Sequence, residues 1–159
     1  AKGCQTVLDI GFGTGTLTQK LYEHGCTVYG QDFSLRMIEL AKAKMPEAKL
    51  YQGDFAKGLV AEVRRNRYDA IIATYSLHHL TDEEKVGFIE DLRSLLSDGG
   101  TIYIGDVMFG KRVQLEACKA DAGDDWDGDE IYFVVDELQA HFPQMRFEPL
   151  SYCSGVLML

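Results

Sequence analysis

The chain's patterning predicts an α/β fold: a mostly parallel, doubly wound sheet of seven strands, ending in an antiparallel hairpin. Three observations predict it. Short β-rich apolar runs alternate with longer stretches of helical spacing, the rhythm of βαβ units. Glycines at 11, 13 and 15 follow the first apolar run directly, in VLDIGFGTGTLTQKL, where a strand gives way to a helix. The last two strand-like runs, MRFEPLSY and CSGVLML, are too close for a parallel crossover and so form a hairpin at one sheet edge.

The elements follow in order. QTVLDI (5–10) is the first strand; the next helix carries Leu17, Leu21 and Tyr22 on one face and stops at Gly25. TVYGQ (27–31) is the second strand. Ser34 caps a helix whose Met37, Leu40 and Ala41 form its buried face before Pro46 ends it. AKLYQ (48–52) is the third strand, LVAEVRRN a short helix, and DAIIATY (69–75) a strand buried on both faces. Thr81 and Glu84 have capping-box spacing, and Phe88, Ile89, Leu92, Leu95 and Leu96 make the apolar stripe of the helix they open. DGG (98–100) turns the chain into a fifth strand, TIYIGD. Helices are expected near 112–120 and 133–142, on either side of an acidic loop.

Composition excludes several classes. At 159 residues, 46% hydrophobic and 26% charged, the chain suits one globular domain, 1–159, with about 68–70% of its unfolded surface buried. A net charge of −9 argues against nucleic acid as a partner, since phosphate binding rests on clustered Lys and Arg. No apolar run reaches the roughly 20 residues of a membrane span. Cys4, Cys26, Cys118 and Cys153 are widely spaced with no CxxC pair, which suggests neither a metal site nor a disulfide framework and fits idle thiols in a reducing cytoplasm. Oligomeric state is not legible.

The glycine loop poses the question of its ligand. A dinucleotide fingerprint, GxGxxG, would need glycine at 16, where Thr16 stands; the spacing is GxGxG. Asp32, at the end of the second strand, can accept from a ribose diol, a feature compatible with NAD or with another adenosine-bearing cofactor.

VLDIGFGTG, YGQDFS, QGDF, DAIIATYSLHHL and LLSDGGTIYIGD, in that order, resemble the motifs of class I S-adenosylmethionine-dependent methyltransferases, closest to small uncharacterised bacterial enzymes acting on small molecules. The resemblance covers nearly the whole chain and implies a Rossmann-like fold with S-adenosylmethionine as cofactor. It implies that Gly11 and Gly13 pass close to the methionine part, that Asp9 helps orient its ammonium, and that Asp32 holds the ribose hydroxyls. It implies further that Asp54 accepts from the adenine amine while Phe33, Met37 and Phe55 pack on the ring. Tyr75, His78 and His79 fall beside the reacting methyl and are the candidates to position or deprotonate an acceptor; a role in shaping the pocket or capping a helix is the alternative.

ATYS departs from the DPPY-like or NPPY-like segment of relatives that methylate adenine bases or protein amides, which with the acidic surface leaves a small-molecule acceptor. DAGDDWDGDE (121–130) places six carboxylates around Trp126, in no register that an EF-hand would need. It reads as a solvated acidic loop or, more sharply, as a lid favouring a cationic acceptor. The family places helices before the first strand, and this chain has almost none. A methyltransferase, an NAD-dependent oxidoreductase and a catalytically silent cofactor-binding module stay open as functional classes.

Overall fold

The computed structural model describes residues 5–159. Five strands, β1 (Thr6–Ile10), β2 (Thr27–Asp32), β3 (Lys49–Gln52), β4 (Tyr68–Thr74) and β5 (Leu96–Phe109), lie parallel in the order β3-β2-β1-β4-β5. The terminal hairpin continues the sheet: β8 (Ser154–Met158) pairs antiparallel with β5, and β7 (Arg146–Ser151) forms the edge beyond it. These seven strands and their hairpin are the Rossmann-like, doubly wound sheet expected. An eighth piece, β6 (Phe133–Val134), pairs with Met108 and Phe109 of β5.

Side chains alternate across the sheet and commit each strand to two cores. On β1 and β2, Leu8, Ile10 and Tyr29 join the main core with Val63 of α3 (Ala61–Arg64), Phe88, Ile89 and Leu92 of α4 (Asp82–Arg93) and Leu138 of α6 (Val135–Gln139). Val28 points the other way, to Phe12 and to Ile38 and Ala41 of α2 (Leu35–Lys44). Asp9 meets Thr18 of α1 (Thr16–Glu23). A third cluster, Phe109, Leu115 and Val134, seats α5 (Arg112–Ala122). Each fully buried Leu or Ile contributes about 1.5–3 kcal/mol, and these cores together hold the sheet.

The predicted caps are present. Ser34 accepts from the Met37 amide at 3.3 Å, and Thr81 with Glu84 closes a reciprocal capping box at the start of α4. Four expectations are corrected. Leu17 is exposed and Thr18 takes the inward position of α1, because that face meets the buried carboxyl of Asp9 rather than an apolar surface. In α2 the fully buried positions are Ile38 and Ala41, with Met37 and Leu40 half-buried at the flank. Asp98–Gly100 is not a turn before β5 but a bulged part of it, with Gly99 at φ 76°. The helix expected over 133–142 is only Val135–Gln139, since Phe133 and Val134 are taken into the sheet.

Among the described residues no helix is long and apolar enough to cross a membrane. Cys26, Cys118 and Cys153 are free thiols, and Cys4 lies outside the described residues.

Candidate functional site

Strand order reverses beside β1, which has β2 on one side and β4 on the other. Loops leaving the carboxyl ends of these strands diverge there and open a crevice, the usual ligand site of such sheets. A cleft of about 300 Å³ lies there, lined by Gly11, Asp32, Phe33, Asp54, Phe55, Ala56, Tyr75, Ser76 and His79. Seven of these are residues singled out from the sequence. Asp9, Gly13, Met37 and His78 do not line it.

The glycine loop forms the floor. Gly11 has φ 68° and Gly13 φ 56°, the left-handed region that side chains rarely adopt. At Gly11 a Cβ would also stand 2.7 Å from Cβ of Ser76, so the β1 loop and the end of β4 pack directly. Ser76 reinforces that approach by donating its hydroxyl to the carbonyl of Ile10 at 3.1 Å. Around Gly13 a Cβ would meet nothing within 4 Å; only the backbone angle demands glycine there.

Asp32 ties this loop to the second strand. Its Oδ2 accepts from the amide of Gly13 at 2.9 Å and its Oδ1 from the amide of Ser34 at 2.9 Å. Asp54 likewise accepts from the Ala56 amide at 3.0 Å and caps a short 3-10 turn, Phe55–Lys57. Both acids therefore cap and both face the cleft. Phe33 is 71% exposed beside Asp32, a large apolar ring left on the rim, whereas Phe55 packs on Phe88 and the main core. The half-buried side chain of Met37 sits outside the cleft lining.

Asp9 lies beneath the loop with only 1% exposure. Its Oδ2 accepts from the Thr18 hydroxyl, while Oδ1 has no hydrogen-bond partner. Burial pushes its carboxyl up to about 7, opposed by the Thr18 hydrogen bond and assisted by the nearby charge of Asp32. A buried acceptor without a donor is rare and calls for a missing partner. A cationic or amide-bearing ligand group fits that requirement.

Of the three candidates after β4, two face the cleft. Tyr75 is 62% exposed with φ 49°, held by its amide's bond to the Gly105 carbonyl at 2.8 Å; a non-glycine residue in this region is strained. His79 lines the wall. His78 turns inward instead, its Nδ1 donating to Oδ1 of Asp106 at 2.9 Å and its Nε2 lying 3.5 Å from Oε1 of Glu130. The two imidazole rings remain neighbours, 4.4 Å apart.

Ser76, Thr18 and Asp106 escaped the sequence reading, and Glu130 entered it only as one of the six acids around Trp126. Asp106 carried a usable signal, because it ends the TIYIGD run much as Asp32 ends TVYGQD. Trp126 is not at the cleft: it packs against the Phe109 cluster and sets its ring edge-on to Tyr132 at 5.2 Å. A second cavity of about 320 Å³, lined by Lys85, Phe133, Leu138 and His141 among others, separates α4 from α6 and contains none of the strand-end residues.

Comparison with known proteins gives concordant findings. A family model described as "Methyltransferase domain" matches residues 7–100. An uncharacterised methyltransferase of Anoxybacillus flavithermus is 42% identical over 121 residues, 76% of this chain and 56% of that protein. One from Bacillus cytotoxicus is 45% identical over 109 residues, 68% and 50% of the respective chains. The chain thus spans about half the length of the curated relatives it matches. Among solved structures, a DhpI-SAM-HEP complex superposes with a TM-score of 0.75 at 19% identity, over 96% of this chain and 77% of that one. Magnesium protoporphyrin IX methyltransferase (ChlM) from Synechocystis PCC 6803 with bound SAH does so with 0.73 at 21%, over 98% and 73%. At these identities the superpositions speak for the fold.

Proposed function

Since the chain belongs to the methyltransferase-domain family, we propose that it binds S-adenosylmethionine in the switch-point cleft and directs methyl transfer to a small-molecule acceptor. One observation carries the reading: seven of the residues that the family resemblance singles out converge on a single cleft beside β1. The fit extends to charge. Beneath the loop and outside the lining, the partnerless Oδ1 of Asp9 suits an ammonium, and among the described residues no lysine or arginine lines the cleft, as suits a cofactor without phosphate.

The cofactor supplies an activated methyl on a sulfonium sulfur, a good leaving group for in-line displacement. The residues of this chain supply place and shelter. Gly11 keeps the floor low enough for close backbone approach, and Gly13 holds the loop's turn through its positive φ. Asp32 and Asp54 retain free lone pairs beyond their caps, and these accept from ribose hydroxyls and from an adenine amine respectively. Phe33 and Phe55 provide apolar faces for the base, and Phe33 stands open to close over it. Tyr75 and His79 stand on the wall after β4, where they orient the acceptor and hold water away from the reacting line.

The acidic surface and the ATYS segment support a small acceptor rather than nucleic acid. Calorimetric titration with S-adenosylmethionine, S-adenosylhomocysteine and NAD tests the reading. Heat from both adenosyl sulfur compounds and none from NAD is the expected result. Binding of NAD alone would overturn it, and binding without methyl transfer in any acceptor screen would mark the chain as a silent binding module.

A further inference from the structure

Gln31 does not line the cleft, yet it is fully buried and bonded to two of the loops that do. Its carbonyl accepts from the amide of Gly11 at 2.8 Å, which seats the glycine loop on β2. Its side-chain amide reaches the other loop. There Oε1 accepts from the Val60 amide at 2.9 Å, and Nε2 donates to the Gly58 carbonyl at 3.1 Å. Two walls of the cleft thus hang on one residue of the sheet, the first by its main chain and the second by its side chain.

That second loop carries the groups read as the adenine contacts. Between β3, which ends at Gln52, and α3, which begins at Ala61, the only regular element is the short 3-10 turn Phe55–Lys57. Bonds from β2 hold the loop on both sides of this turn. Ahead of it the Gly53 amide donates to the Asp32 carbonyl at 3.0 Å, and behind it the Gln31 side chain grips Gly58 and Val60. Asp54, Phe55 and Ala56, which line the cleft, lie between these points. The approach is close: a Cβ on Gly53 would stand 2.8 Å from Nε2 of Gln31. Only a group that both donates and accepts can close both bonds, and a carboxamide does so without placing a charge in the core. Leu59 and Phe55 press the loop onto the main core through non-directional contacts, whereas the two amide bonds fix where along β2 it sits.

We propose that Gln31 sets the selectivity of this protein for the base of its cofactor, by positioning Asp54 and Phe55 against the adenine ring without itself touching the ligand. The inference rests on the reading of the cleft as the S-adenosylmethionine site and adds a residue that the family resemblance leaves out. The carboxylate of Asp54 discriminates only with an oxygen in hydrogen-bond reach of the exocyclic amine, and a loop displaced by about 1 Å loses that bond. Removing the side-chain amide leaves the main-chain carbonyl at position 31 on Gly11, and leaves the bonds of Asp32 to Gly13 and Ser34. The effect is therefore confined to the base end of the cofactor.

The test compares S-adenosylhomocysteine with S-inosylhomocysteine, in which a carbonyl replaces the exocyclic amine of the base. Calorimetric titration of the wild type should favour the adenosyl compound by about tenfold or more. Gln31→Met keeps the length of the side chain and removes both of its bonds. In that variant the preference should shrink to within about threefold, with affinity for the inosyl compound nearly unchanged. Gln31→Glu supplies the rescue: at about pH 5 its buried carboxyl is protonated, accepts and donates as the amide did, and the preference should return. At about pH 8 the ionised carboxylate only accepts, and the preference should fall again. Asp9 titrates in the same range but acts on the amino-acid end common to both ligands, so its effect cancels in the ratio. An undiminished preference in Gln31→Met would overturn the proposal, as would adenosyl and inosyl affinities that fall together, the mark of a loosened fold. Should Gln31→Met fail to fold, the pH contrast within Gln31→Glu decides alone, and a preference that does not return at the lower pH rejects the role. Wild-type binding of the adenosyl compound with no preference over the inosyl one removes the role of Gln31 and leaves the cofactor reading standing; no heat from the adenosyl compound sinks both.

Discussion

The amide of Gly13 donates to Oδ2 of Asp32 across 2.9 Å, so the loop after β1 and the acid ending β2 form one hydrogen-bonded unit. Because Oδ1 of the same carboxylate holds the Ser34 amide, a single side chain sets both the shape of the glycine loop and the start of α2.

Asp32→Ala therefore strands two backbone amides. A loss of about 2–3 kcal/mol in stability is expected, a fall of roughly 5–10 °C in a thermal scan. Affinity for S-adenosylhomocysteine should drop tenfold or more even where the variant is fully folded. Asp32→Asn, which keeps one acceptor oxygen, should lose less on both measures.

Alanine at the two loop glycines separates packing from backbone strain. Gly11→Ala meets Ser76 at 2.7 Å in addition to its positive φ, whereas Gly13→Ala meets only the unfavourable backbone angle. Chemical denaturation should give a cost of about 1 kcal/mol for Gly13→Ala and at least about twice that for Gly11→Ala. Similar costs would mean that β4 yields to the added methyl.

The carboxyl of Asp9 leads to a pH dependence. Folded, it holds its proton up to about 7; unfolded, it releases it near 3.8, the ordinary value for an aspartate. Between those limits the folded chain binds the extra proton, so this group's contribution to stability is complete below pH 4 and declines as pH rises through 7. Asp9→Asn should remove that slope from a stability–pH profile. If an ammonium pairs with Oδ1, affinity for S-adenosylhomocysteine should rise through pH 7 in the wild type and show no such rise in Asp9→Asn.

Tyr75 combines an exposed ring with a left-handed backbone. Asn tolerates that conformation better, so Tyr75→Asn should leave stability unchanged or raise it by up to about 1 kcal/mol. A matching loss in binding or turnover would mean that the strain is retained for the ring. A clear loss of stability would instead assign the ring a structural role.

The sequence disclosed what local chemistry controls. Glycine spacing, the acids at strand ends, the Ser34 and Thr81 caps and the terminal hairpin each depend on residues within a few positions of one another, and each is found where expected. The cleft lining follows, because the sheet order brings those strand ends together. What stayed illegible depends on pairing across the chain. His78, Asp106 and Glu130 come from β4's exit, the end of β5 and the segment after α5, and no periodicity reports that they meet. Likewise Lys85 falls among acids at the start of α4, yet it is 1% exposed because the Ile131 carbonyl and the Phe133 ring close over it, and both belong to a segment some 46 residues on. Burial has lowered its affinity for its proton accordingly.

Ile131 is gripped through its main chain alone, its N–H by His78 and its carbonyl by Lys85. Such a grip is indifferent to the side chain that position 131 itself carries. The side chain at 131 can therefore be exchanged while the backbone there keeps its place between the exit of β4 and α4.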